Sequence, residues 1–163
     1  MKILYVAEVV GKPGIFVLKS LLSKVKKSLG ADLVLGNADG ATGGWGLGKN
    51  HAYYLHKLGL KGIAGGDSFF FKKDLQEILD QSSFLVRPAN YPPGTPGKGL
   101  RFIKAGEEKV AFVSLLGQGG FSKIHLPSPL QTLEHLLDRF GKETPYWVVD
   151  YHGTTTAEKN SFF

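Results

Sequence analysis

Glu8, Asn37, Asp39, Asp67, Asp150 and His152 stand far apart in a chain of 163 residues, yet each lies at the end of a short apolar run. Carboxylates, an amide and one imidazole are the donors that a hard divalent cation takes, and the mixture suits Mn, Fe, Zn or Mg. Gathered without a cation, the carboxylates would repel and shift one another's pKa. Taken singly, each residue has a plainer role. Glu8 can pair with a lysine and Asp39 can form a turn. Asp67, ahead of Ser68, can cap a helix, and His152 can be a hydrogen-bonded core histidine. Glu8, Asp39, Asp67 and His152 on one edge are harder to explain as four separate accidents, so they are expected to meet in one cleft as metal ligands.

The elements that would gather them are legible in the patterning. Residues 31–48 read ADLVLGNADGATGGWGLG, a branched apolar run that breaks into a loop with five glycines from Gly40 onward. The run is too short for a helix and reads as a buried strand. Asn37 and Asp39 sit at the mouth of the loop, where α/β proteins place ligands. Strands are predicted at 2–9, 33–35, 61–65, 84–86, 99–103, 110–115 and 146–150. Helices are predicted at 15–29, 49–58, 72–81 and from Pro129, with one more beginning at Thr154. Ser128 ahead of Pro129, with Gln131 beyond, is a good helix start. The 11–14 segment is expected to be a turn, 99–115 a hairpin, and 117–127 a loop. Strands alternate with helices through Arg87, which predicts a parallel sheet whose carboxyl ends share one edge.

Composition narrows the class. With 163 residues and 42% hydrophobic content the chain fits one domain with a real core. It contains no cysteine, so thiolate metal sites and disulfides are excluded, which suits a cytoplasmic setting. No apolar run is long enough for a membrane helix. The net charge of +6 comes mostly from lysine, with only Arg87, Arg101 and Arg139 among the arginines. That suits a solvated surface better than base reading, which favours arginine. The segment from Gly43 to Asn50 reads G-x-x-x-x-G-K-N. It falls one residue short of a phosphate-binding loop, because Asn50 replaces the Ser or Thr that holds magnesium. The loop from Arg87 to Gly99 carries four prolines and three glycines, and reads as a Pro-rich connector. Asn90 and Tyr91 on it are candidate substrate contacts.

The segments ILYVAEVVGKPG, VLGNADGATGGWGL, FFKKDL with the Gly-Asp pair before it, RPANYPPGTPGKG and VDYHGTTTAEK resemble the YmdB-like branch of the calcineurin-like metallophosphoesterases. They keep that family's order over the whole chain. The resemblance implies an α/β sandwich of two sheets flanked by helices, a single domain over 1–163, and a two-metal site that hydrolyses phosphodiesters such as 2′,3′-cyclic nucleotides. By position it places Glu8 at an Asp ligand, Asp39 at a bridging Glu and Asp67 at an Asn ligand, and His152 matches a His ligand. Gly40 stands at a further Asn ligand. Ser68 stands at the catalytic position of the His that assists the leaving group. A later G-x-H-x-H segment has no counterpart, and the C-terminal part of the second sheet is expected to be missing. The end at Phe162-Phe163, within a helical pattern, reads as a fragment or as an end that docks onto something.

These departures set the functional expectation. A serine hydroxyl does not titrate near neutral pH, so Ser68 cannot supply a proton as an imidazole does. Two-metal hydrolysis needs both ions held close together. The chain is therefore expected to hold one or two divalent ions, with weak or absent turnover of a phosphodiester or cyclic nucleotide. Asn37, Asn90 and Tyr91 would face that substrate. The competing reading is a non-catalytic scaffold or ligand-binding descendant. Nucleic-acid binding rests on charge alone, and a homo-oligomer stays open.

Overall fold

The computed structural model describes residues 1–119 and 126–162. The strands and helices in chain order are β1 (Ile3–Val6), α1 (Gly11–Leu29), β2 (Leu33–Asn37), α2 (Lys49–Leu58), β3 (Gly62–Ala64), α3 (Lys73–Gln76), β4 (Leu85–Val86), β5 (Leu100–Ala105), β6 (Glu108–Leu116), α4 (Pro129–Phe140), β7 (Trp147–His152) and α5 (Thr156–Phe162). They form two sheets. One is four-stranded and parallel in the order β1-β2-β3-β4, and the other is three-stranded in the order β5-β6-β7. The hairpin β5–β6 is antiparallel, and β6 pairs with β7 in parallel. Pro88, just past β4, bridges Ser114 of β6 in parallel, and Ala89 N–H donates to Ser114 O at 2.7 Å. That bridge aligns the two sheets, so the carboxyl ends of β1, β2, β3 and β7 open on one edge.

Period-two alternation explains why the sheets stack. Val34 of β2 and Ile63 of β3 point into a core with Leu18 and Leu22 of α1, Leu55 of α2 and Leu75 of α3. Leu33 and Leu35 point the other way, into a second core with Val86, Ile103, Val110 and Phe112. Both faces of the parallel sheet are covered, which is why its strands are apolar throughout. Gly62 is required here. A Cβ on it would lie 2.4 Å from Ile103 Cδ1 and 2.7 Å from Phe112 Cδ1. On the outer side of the smaller sheet, Phe140 of α4 meets Phe102 edge-on at 6.1 Å.

Several boundaries differ from the sequence reading. α1 begins at Gly11, so Pro13 sits in the first turn, where a missing N–H costs nothing. α3 is one turn only; beyond it Ile78 N–H and Leu79 N–H reach back three residues, to Leu75 O and Gln76 O. β7 runs on to His152, which therefore belongs to a strand and not to the loop after it. The start of α4 is as read, with Ser128 Oγ accepting from Gln131 N–H. The expected 117–127 loop lies partly outside the described residues. No helix among the described residues is long and apolar enough to cross a membrane.

Candidate metal centre

Asp39, Asp67 and His152 come together at the shared edge. One ligand atom from each lies within 4.8 Å of the others. Each is delivered by a different strand end: β2 leads into Asp39, β3 into Asp67, and His152 closes β7. His152 Nε2 is 3.0 Å from an Asp67 carboxylate oxygen. The imidazole lies over Gly66, where a Cβ would fall 2.6 Å from Nδ1. Ser68 N–H donates to Asp39 Oδ2 at 2.9 Å. The other Asp39 oxygen, Oδ1, is buried and has no hydrogen-bond partner among the described residues.

The electrostatics follow from burial. Asp39 is 3% exposed, and loss of solvent pushes its carboxyl up to about 6. The backbone N–H groups of Gly66 and Ser68 and the His152 imidazole pull it back, and Asp67 pushes it further up. A buried carboxylate oxygen lacking a donor is costly. A cation between Asp39, Asp67 and His152 would remove that cost. Two carboxylates and an imidazole are suitable donors for a divalent ion, so the residues present fit one.

The other residues read from sequence divide by what already holds them. Glu8 is exposed and lies outside the three-residue group, against Gly40, where a Cβ would meet its Oε1 at 2.8 Å. Asn37 is buried, with Nδ2 donating to Asp150 Oδ2 at 2.8 Å and Oδ1 accepting from Asp39 N–H at 2.9 Å. Asn90 is also buried. Its Nδ2 donates to Leu116 O and Pro127 O, and its Oδ1 accepts from Leu116 N–H. Both amides engage their nitrogen and their oxygen inside the fold. Tyr91 stays half-buried, edge-on to Phe70 at 5.1 Å. Its hydroxyl pKa is raised by burial and by the charges of Asp39 and Asp67. Ser68 is buried and meets Asp39 through its backbone N–H.

The sequence reading placed Asp150 among the strand-end residues and gave Arg87 no place at the site. Asp150 is not a free member of the cluster. It lies beneath it, accepting from the Tyr5 hydroxyl and Asn37 Nδ2, with Ser114 Oγ at 3.4 Å. Burial raises its pKa, and those donors together with His152 oppose the rise. The alternation of the last strand could have placed Asp150 and His152 on one face, but not at different depths. Arg87 is half-buried just past β4, donating from one terminal nitrogen to Pro88 O, while its Nε has no partner among the described residues. The near-phosphate-binding motif is accounted for within the chain: Thr42 Oγ1 accepts from Gly48 N–H, and Asp74 Oδ2 accepts from Lys49 N–H at the start of α2.

The family described as YmdB-like protein matches residues 4–163. The chain belongs to the YmdB-like family. A 2′,3′-cyclic-nucleotide 2′-phosphodiesterase of Bacillus subtilis (strain 168) is 33% identical over 159 residues, covering 98% of this chain and 60% of that protein. A crystal structure of a hypothetical protein from Thermus thermophilus superposes with a TM-score of 0.90 at 30% identity, over 99% of this chain and 62% of that one. A crystal structure of a novel phosphatase from Mycoplasma pneumoniae also gives a TM-score of 0.90 at 30% identity, over 99% of this chain and 58% of the other. This YmdB-like chain thus spans about 60% of the length of those relatives. It is a metallophosphoesterase-family protein with the two-sheet sandwich that the resemblance implied.

Proposed function

We propose that this chain binds one divalent cation through Asp39, Asp67 and His152 and acts on a small phosphodiester, with a cyclic nucleotide as the substrate class and slow turnover. The observation that carries the reading is the buried Asp39 carboxylate: one of its oxygens lies within 4.8 Å of the Asp67 and His152 ligand atoms, and its Oδ1 has no hydrogen-bond partner among the described residues. When bound, the ion supplies Lewis acidity toward a phosphoryl oxygen. The chain's own residues orient and shield the site. Asp39 is held by Ser68 N–H, and the His152 ring is seated on Gly66. Tyr91, whose hydroxyl feels the charges of Asp39 and Asp67, is the side chain assigned to the substrate. The slow rate follows from Ser68, whose hydroxyl offers no titrating proton for the leaving group. A general acid typically contributes about 10²–10⁴ in rate.

A second reading, a ligand-binding protein without turnover, is favoured by the same Ser68. Hydrolysis of a 2′,3′-cyclic nucleotide and of bis-p-nitrophenyl phosphate with added manganese separates the two, with Asp39→Asn as the control. Slow hydrolysis lost in Asp39→Asn supports the enzyme. Equal background from both proteins, with the substrate still bound, supports the binding protein. Fast turnover would contradict the role given to Ser68.

A further inference from the structure

Asp150 is tied to the segments that carry the cluster. Its Oδ2 accepts from Asn37 Nδ2 at 2.8 Å, and Asn37 Oδ1 accepts the N–H of Asp39 at 2.9 Å. Ser114 Oγ lies 3.4 Å from the same Oδ2 and donates at 2.9 Å to Gly65 O, two residues before Asp67. Along β7, Asp150 precedes His152 by two residues, on the same face of the strand. Its other oxygen accepts from the Tyr5 hydroxyl of β1. One side chain therefore joins β1, β2, β6 and β7 and reaches the loop after β3.

We propose that Asp150 is the positioning residue of the metal centre, a buried carboxylate that fixes the polarity of Asn37 and so the placement of Asp39, Asp67 and His152 relative to one another. The polarity argument is specific. A carboxylate only accepts, so it forces Asn37 to present its NH₂ to Asp150 and its oxygen to Asp39 N–H. An amide at position 150 would face donors with a donor of its own, and Asn37 could flip. The hub's hydrogen bonds exist whether or not a cation is present. The part of the proposal that concerns cation affinity rests on the reading of Asp39, Asp67 and His152 as ligands.

The test is an exchange of the two groups. Asp150→Asn, Asn37→Asp and the double variant are compared with the unaltered protein in Mn²⁺ titrations followed by calorimetry, alongside thermal melts and the side-chain amide NMR signals of the metal-free proteins. Loss of an outer partner of a metal ligand typically weakens affinity about 10–100-fold. Each single change is expected to weaken Mn²⁺ binding by about that factor. The double variant restores a carboxylate–amide pair and is expected to recover most of the affinity. A purely structural role would lower the melting temperature without moving the affinity of the folded protein, and that result overturns the proposal. So does a folded double variant that binds no better than the singles. Should the single variants fail to fold, Tyr5→Phe removes the donor to Asp150 Oδ1 and Ser114→Ala removes the hydroxyl lying between Asp150 and Gly65 O, and unchanged affinity in both overturns the proposal. If the unaltered protein binds no Mn²⁺ at all, the ligand reading falls and takes the affinity claim with it. In that case an Asn37 amide pair shifted from the free range would still report the hub.

Discussion

Gly66 lacks a side chain because His152 stands where one would be. A Cβ there would lie 2.6 to 2.7 Å from three ring atoms, and the ring is held between Gly66 and Asp67. Gly66→Ala is therefore expected to push the imidazole away from Asp67 and to weaken Mn²⁺ binding by about tenfold or more, a loss of roughly 1.4 kcal/mol or more. Calorimetric titration checks this, with near-ultraviolet circular dichroism showing that the fold persists. Unchanged affinity would mean that the ring position is not important for binding. At this scale the sequence was informative where a polar residue follows a buried strand, as with Asp39 and Asp67. It was silent on saturation. Nothing in the types or spacing of Asn37, Asn90 and Asp150 shows that other buried groups already engage their polar atoms. Such pairings join residues 113 positions apart, as Asn37 and Asp150 are, and only the folded chain brings them together.

Among the elements, α5 is tied to the segment after β6 by the Glu158 carboxylate. Glu158 accepts from the N–H groups of Gln118, Gly119 and Thr154, and from the Tyr151 hydroxyl. Partial burial pushes its carboxyl up, but the three N–H groups and the hydroxyl outweigh that and hold it below the usual range. A carboxyl lowered in the folded state stabilises at pH above its unfolded value, and that contribution is lost as pH falls through the folded value. Amide hydrogen exchange at Gln118 and Gly119, corrected for intrinsic rates, is expected to show weakening protection as the pH drops below the ordinary carboxylate range. Glu158→Gln should show weakened protection already at neutral pH. Protection independent of pH and of the substitution would remove Glu158 from this role. Helix α4 offers a milder case. Ser128→Ala removes the cap on Gln131 N–H and should cost about 1 kcal/mol in a denaturant melt. That cap was readable from Ser128-Pro129 because capping depends on neighbours in sequence. The shortness of α3 was not, since apolar spacing at Leu75, Ile78 and Leu79 is satisfied by looser turns as well as by a regular helix.

At the scale of the whole molecule, the proposed cation site depends on two sheets that share one edge. Their contact rests on side chains such as Phe112, which is fully buried between Leu33, Leu35 and Ile103. Phe112→Ala should destabilise by about 3–5 kcal/mol, and it should weaken metal binding too, because His152 rides on the smaller sheet while Asp39 and Asp67 ride on the larger. Stability and affinity falling together in one variant would show that coupling; a large loss of stability with full affinity in the fraction still folded would refute it. The alternation of β and α gave the parallel sheet, but the second sheet's place was implied by resemblance, since no local pattern says that β7 pairs with β6. The central claim is that Asp39, Asp67 and His152 form one cation site, and Mn²⁺ titration of the metal-stripped protein by calorimetry tests it most directly. One ion per chain, with binding lost in Asp39→Asn and in His152→Ala while both variants stay folded, is the predicted result. Binding that survives both substitutions, or no binding by the unaltered chain, would contradict it.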